Sequence, residues 1–231
     1  MKQTFIIGSV LCGVASLILG VAPPVKDVTV ALVSKVIADV TRKELGKNWL
    51  PAKRGETLTS GERIKTGEKS FAVIKFKDNS MVRVREKTEV LVQGVQDGSS
   101  FSKSADVERG VIGFSIRKQQ KGEEFRFSSP TAVASIRGTS GQFGAEDSSD
   151  KLIVLEGLVR LTNKVSRQST DVESGFTGIS FPDGKLQVRP STPEEKLVAQ
   201  LASRVGDQDN TLDIELDDGK GTKKRFEIKF K

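Results

Sequence analysis

The sequence predicts an all-β body, β-solenoid-like or sandwich-like, followed by a short helix and a C-terminal β-hairpin. Three observations carry that prediction. Apolar and polar residues alternate along most of the chain, the period of a half-buried strand. The 22 glycines and 12 phenylalanines set against only 2 methionines favour strands joined by tight turns over a helical bundle. A Glu and a Gly followed by an alternating apolar strand recur at 107–116 (VERGVIGFSI), 154–161 (VLEGLVRL) and 172–181 (VESGFTGISF), which reads as strand-and-turn units, each covering the one before it.

Residues 1–22 come first. Thr4 to Ala22 are apolar or small throughout, and a polar chain begins at PPVKD, so this segment reads as an export signal with Gly20 and Ala22 as a small-residue cleavage site. It is also long enough to serve as an N-terminal membrane anchor. Cys12 lies inside this run, and no cysteine follows it, so the exported portion folds without disulfides or thiol chemistry. Residues 28–190 form the expected β domain. Val28, Val30 and Leu32, then Val36, Ala38 and Val40, predict two strands, TRKELGKNW a turn, and Trp49, Leu50 and Pro51 a segment packing back on the sheet. Ala72, Ile74 and Phe76 share a face that Val82 and Val84 continue after the turn Asp78, Asn79, Ser80. VQDGSSFSKSAD and EDSSD read as polar loops without the spacing of a calcium loop. Residues 191–206 predict an amphipathic helix: Thr192, Pro193 and Glu195 make a capping box with proline at the first helical position, and Leu197, Val198, Leu201 and Val205 recur at helical spacing. Over 211–231, Leu212, Ile214 and Leu216, then Phe226, Ile228 and Phe230, alternate on either side of a turn at 218–221, a hairpin whose apolar face needs a partner to dock on.

The formal charge is +7, and +6 remains once Lys2 is set aside with the leader. That balance favours an acidic partner, an envelope protein or an anionic envelope polymer, with membrane association through residues 4–22. Nucleic acid matches the charge but is not what an exported chain meets. Arg63, Lys65, Lys75, Lys77, Arg83 and Arg85 fall on polar strand positions and form the candidate anion- or partner-binding face. The alternative is a solvated face that discourages edge pairing.

Catalytic chemistry is thinly supplied. The chain has no histidine, which removes Ser-His-Asp and Cys-His arrangements and imidazole zinc sites together. The run GTSGQ fails the nucleophile-elbow pattern at Gln142. A hydrolase would have to use two carboxylates or a Ser-Lys pair, Ser100 with Lys103 or Ser148 with Lys151, in loops without the apolar flanks that lower a lysine pKa. No phosphate-cradling glycine loop is present, so no catalytic residue, cofactor or metal site is expected. Arg137, Gly138 and Thr139 read as a structural motif: small neighbours let a second backbone approach, and the arginine fork ties the corner to a carboxylate or to carbonyls.

The order of motifs resembles the FecR domain, a periplasmic sensing domain. WLPAKRGETLTSGERIKTGEKSFAVIKFKDNSMVRV is similar to the family's W-P-A, G-D-x-I-x-T-G and D-G-S pattern, with Gly61 and Glu62 in place of Gly-Asp and Asp78, Asn79, Ser80 in place of Asp-Gly-Ser. SPTAVASIRGTSGQF resembles the hallmark T-P-x-A-x-x-x-V-R-G-T-x-F, and VLEGLVRL the closing strand. The resemblance covers roughly 28–190 and implies a body of short strands with no catalytic residues. Regulators of this type carry a cytoplasmic anti-sigma segment ahead of the membrane, whereas only Met1 to Gln3 precede the apolar run here. The expectation is an exported binding, scaffold or sensing module, with a signal-relay protein held by an uncleaved anchor as an alternative.

Overall fold

The computed structural model describes residues 28–97, 100–120, 122–204, 211–217 and 223–229. The leader, Cys12, Val205 and the hairpin turn at 218–221 lie outside the described residues. Alternating side chains give strands wherever one face can be buried. In chain order these are β1 (Thr29–Ile37), β2 (Val40–Lys43), β3 (Leu50–Pro51), β4 (Thr57–Thr59), β5 (Glu62–Thr66), β6 (Phe71–Phe76), β7 (Met81–Val84), β8 (Glu89–Asp97) and β9 (Ser100–Ser115). They continue with β10 (Glu124–Ser128), β11 (Ala132–Ile136), β12 (Ser140–Ala145), β13 (Asp150–Glu156), β14 (Leu158–Asn163), β15 (Ser169–Glu173), β16 (Phe176–Ser180) and β17 (Leu186–Pro190). Helix α1 (Pro193–Arg204) and the antiparallel pair β18 (Thr211–Asp217) and β19 (Lys223–Lys229) follow.

The first 17 strands form two layers joined through β9. One layer runs β4-β1-β6-β7-β9-β12-β13-β16-β17, the other β3-β2-β5-β8-β9-β10-β11-β14-β15. Every neighbouring pair is antiparallel except β9 and β10. This decides between the two predicted architectures in favour of the sandwich, because stacked solenoid coils would pair their strands in parallel. Phenylalanines from opposite layers meet in the core: Phe76 lies edge-on to Phe125 and Phe114 tilts against Phe127, each at 4.8 Å between ring centres.

Each arm of the meander bends from one layer into the other, and one left-handed residue stands at each bend. On the N-terminal side these are Ala38, Lys69, Lys87 and Gly110 (φ 58°, 51°, 53° and 94°), at the end of the sandwich we call the far end, while Gly61 (φ 92°) carries β4 into β5 at the other end. On the C-terminal side they are Gly138, Gly157 and Gly175 (φ 71°, 88° and 84°), at the opposite, leading end, where Val28 accepts a hydrogen bond from Ser60 N at 2.9 Å. The parallel β9–β10 crossover produces this reversal, so the two halves open toward opposite ends. Gly110, Gly157 and Gly175 are the glycines of the sequence repeat, which therefore marks bends and not coils.

Three expectations change. The predicted break within 28–40 falls later, since β1 runs through Ile37 and only Ala38 turns the chain into the other layer. Residues 95–97 and 100–106 are not loop: β8 and β9 pair there, Val95 with Ser102 and Gln93 with Ser104, and their polarity belongs to outward positions plus one inward lysine. Helix α1 has the predicted capping box, with Glu195 N donating to Thr192 Oγ1 and Thr192 N to Glu195 Oε2. It buries Ala199, Ala202 and Ser203, however, while Val198 is 51% exposed. The small face wins because α1 lies directly on β9, where a methyl group on Gly113 would overlap the Ala202 carbonyl.

Candidate functional site: the leading end of the sandwich

The proposed basic face is not one surface. Arg63 and Lys65 stand on β5 in one layer, Lys75 and Arg83 on β6 and β7 in the other, so the two groups point in opposite directions. Arg63 is paired with Glu89 and Glu108. Lys65 and Lys43 sit over the Trp49 ring, 5.8 and 5.9 Å from its centre. Arg83 is fully buried, on an outward face that also buries Val73. Arg85 lies at a far-end bend, where Thr66 Oγ1 donates to its carbonyl. Of the six, only Lys77 reaches the leading end as an exposed cation. Alternation assigned these residues to polar positions correctly but could not say which layer each strand would join.

The leading end is organised around an ion pair between a buried lysine and a half-buried aspartate. Lys103 points inward from β9 with its side chain only 1% exposed, and its Nζ donates to Asp78 Oδ2 at 2.6 Å across the open edge of the two layers. Asp78 also accepts from Gln119 Nε2 at 3.0 Å and from Ser80 N and Oγ at 3.0 and 2.9 Å. Burial pushes the Asp78 carboxyl up, but these donors outweigh it and hold it below the ordinary aspartate value. Beside the pair lies a cleft of about 330 Å³ lined by Lys77, Phe101, Arg117, Lys118 and Glu123 among others. A second cleft, about 290 Å³, lies on the outer face of the other layer, where burial raises the Asp106 carboxyl.

The far end is closed in the same manner. Asp150, buried between β13 and the turn at 129–131, accepts from Ser129 Oγ at 2.6 Å, from Thr131 N at 2.7 Å and from Thr131 Oγ1. Asn163 extends the cluster by donating to Ser180 Oγ and to the Phe181 carbonyl, both at 2.8 Å. A buried carboxylate surrounded by hydroxyl and amide donors is satisfied, not poised.

Residues 62–160 match the family model described as FecR protein. Residues 62–160 are thus similar to a FecR domain. No curated protein matches the chain. Solved structures of similar fold include a candidate anti-sigma factor from Parabacteroides distasonis ATCC 8503, at 15% identity and a TM-score of 0.51 over 60% of this chain and 63% of that one. A second structure with that description, solved at 1.65 Å, shares 16% identity over 59% and 62% of the two chains with a TM-score of 0.49. The chain thus spans less than two thirds of their length, and the likeness to the first of them, at 15% identity, is one of fold.

The FecR motifs acquire physical roles in this geometry. In the Asp78, Asn79, Ser80 turn, Asn79 takes φ 64° where the family pattern has glycine, a conformation asparagine tolerates better than most residues. Glu62, in the place of the family's aspartate, is buried and accepts from Thr59 N and Oγ1 at 2.9 and 2.7 Å and from Arg42 Nη1 at 2.9 Å. Arg137, Gly138 and Thr139 form a leading-end bend. Thr139 exchanges backbone hydrogen bonds with Ile116, and its Oγ1 donates to the Leu158 carbonyl at 3.3 Å. Gly138 provides the left-handed turn, but the expected tie from Arg137 is not made: the side chain is exposed, and among the described residues it pairs with no carboxylate.

The nucleophilic candidates do not assemble. Ser100 and Lys103 are three apart on β9 and fall on opposite faces, and Lys103 is engaged by Asp78. Lys151 lies 3.9 Å from Glu146, with Ser148 in the exposed turn between them. What sequence reasoning missed is Asp78 with Lys103, and the cations Arg117 and Lys118 beside them. The signal was present in FSK, where an inward strand position between Phe101 and Ala105 is a lysine.

Proposed function

We propose that the chain is an exported, non-enzymatic FecR-domain module that binds or senses in the cell envelope, with 28–190 as its body and membrane association through residues 4–22. An envelope protein or an anionic envelope polymer is its partner. One observation carries the reading: the buried Asp150 and the half-buried Asp78 are each engaged by donors that close an end of the sandwich, so neither stands as a base beside an activated nucleophile. The match to the FecR protein model and the likeness in fold to a candidate anti-sigma factor support signalling or sensing as the class of role. Among the described residues no helix is long and apolar enough to cross a membrane, which leaves 4–22 as the segment to test.

Cell fractionation of the full chain, with mass spectrometry of its N-terminus, tests the location, and a serine-reactive probe with Ser100→Ala and Ser148→Ala controls tests the chemistry. The expected result is a chain in the envelope fraction that the probe leaves unlabelled. A cytoplasmic chain, or labelling that either alanine variant abolishes, overturns the proposal.

A further inference from the structure

Four cations gather at the leading end. Lys77, Arg117 and Lys118 border the same cleft, and a methyl group on Gly138 would stand 3.2 Å from Lys118 Cα, which sets Arg137 beside that residue. All four side chains are exposed, and among the described residues none of them forms an ion pair. Of the neighbouring carboxylates Asp78 is paired with Lys103, while Glu123 and Glu156 accept only from Gln120 N and Ser140 Oγ and keep their charge. Four exposed cations set against these two carboxylates leave a net positive charge, and so a positive field directed outward, at this patch.

The same end receives the chain. Val28 and Val30 are tied there through Ser60 N and Lys77 N, at 2.9 and 3.4 Å. Residues 23–27 are all that separates Val28 from the apolar run, a span of roughly 20 Å at full extension. The linker is therefore short enough for a membrane holding residues 4–22 to come against this end, since its full reach from Val28 is only roughly two to three Debye lengths at physiological salt.

We propose that the leading end of the domain rests on anionic phospholipid headgroups, with Lys77, Arg117, Lys118 and Arg137 as the contacting cations. This rests on the reading of 4–22 as a membrane segment. Clustered Lys and Arg next to a membrane segment are drawn to an anionic leaflet and held within a Debye length of it. The contact fixes which end of the sandwich faces the bilayer and leaves the far end, with the turns at 146–149 and 181–184, directed away from it.

The test uses the full chain in a Cys12→Ser background with an environment-sensitive fluorophore at Gln120→Cys, and a companion chain labelled at Ser148→Cys on the far end. Each is incorporated into vesicles of phosphatidylcholine alone or of phosphatidylcholine with phosphatidylglycerol. The expected result is a blue shift at position 120 with the anionic vesicles only, none at position 148, and loss of the shift at about 1 M salt, where screening shortens to about 3 Å. The combined variant Lys77→Glu, Arg117→Glu, Lys118→Glu and Arg137→Glu abolishes the shift. Equal shifts in both vesicle types, shifts at both positions, or none at position 120 in protein that co-floats with the vesicles would overturn the proposal. Flotation with neutral vesicles reports on residues 4–22 alone, so failure of the anchor reading is seen separately.

Discussion

Lys103 and Asp78 show how one pair of residues can set the limits of a core. The lysine occupies an inward strand position that would ordinarily be apolar, and it is tolerated because Asp78 reaches it from the opposite layer. Removing one partner leaves a buried charge uncompensated, which typically costs 3–5 kcal/mol, whereas replacing both with apolar groups is often close to neutral. Asp78→Ala should therefore lower unfolding free energy by about 3 kcal/mol, and Asp78→Ala with Lys103→Met should recover at least about half of that. Urea denaturation of the two variants checks this. A double variant as unstable as the single one would mean that Asp78 acts through the turn it caps, not through the lysine.

At the scale of the element, the bends divide into two kinds. Gly157 needs to be glycine twice over: it has φ 88°, and a methyl group there would stand 2.8 Å from the Gly138 carbonyl oxygen. Ala38 holds a similar left-handed conformation with an exposed side chain that contributes no contact to offset the strain. Gly157→Ala should therefore cost about 2–3 kcal/mol and Ala38→Gly should gain up to about 1 kcal/mol, read from thermal unfolding midpoints. Destabilisation of similar size at both positions would refute a role for backbone conformation at these bends.

For the whole molecule, Glu195 is where the sandwich and the helix are joined. Its carboxylate accepts both terminal nitrogens of Arg189 on β17, at 2.7 and 2.8 Å, together with Thr177 Oγ1 on β16 and the capping amide of Thr192. The arginine, opposed by partial burial and assisted by the two further donors, lowers its pKa from 4.5 to about 2. Because the folded value is the depressed one, this stabilisation is fully present above about pH 4.5 and is lost as pH falls toward 2. Glu195→Gln should cost about 1–2 kcal/mol at neutral pH, a figure reduced for solvent screening, and the difference from the native chain should narrow over that interval. Denaturant unfolding across the acid range measures it. A gap independent of pH would show that the carboxylate's charge plays no part.

Periodicity made most strands legible because a half-buried strand must alternate, whatever it packs against. The capping box of α1 was legible for a related reason: its hydrogen bonds join residues three apart and need no tertiary partner. The FecR motifs were legible in order, and the glycine of RGT is the left-handed bend that its small neighbours implied. Tertiary structure alone decided that the repeated Glu-Gly units are bends between two antiparallel layers, that α1 lies on its alanines, and that Arg63 and Lys65 face away from Lys75 and Arg83. It also decided that Lys77, Arg117, Lys118 and Arg137 share one end. The physical reason is that alternation fixes which face a side chain takes within its own strand, whereas its layer, its end and its neighbours depend on pairings between residues far apart in the chain.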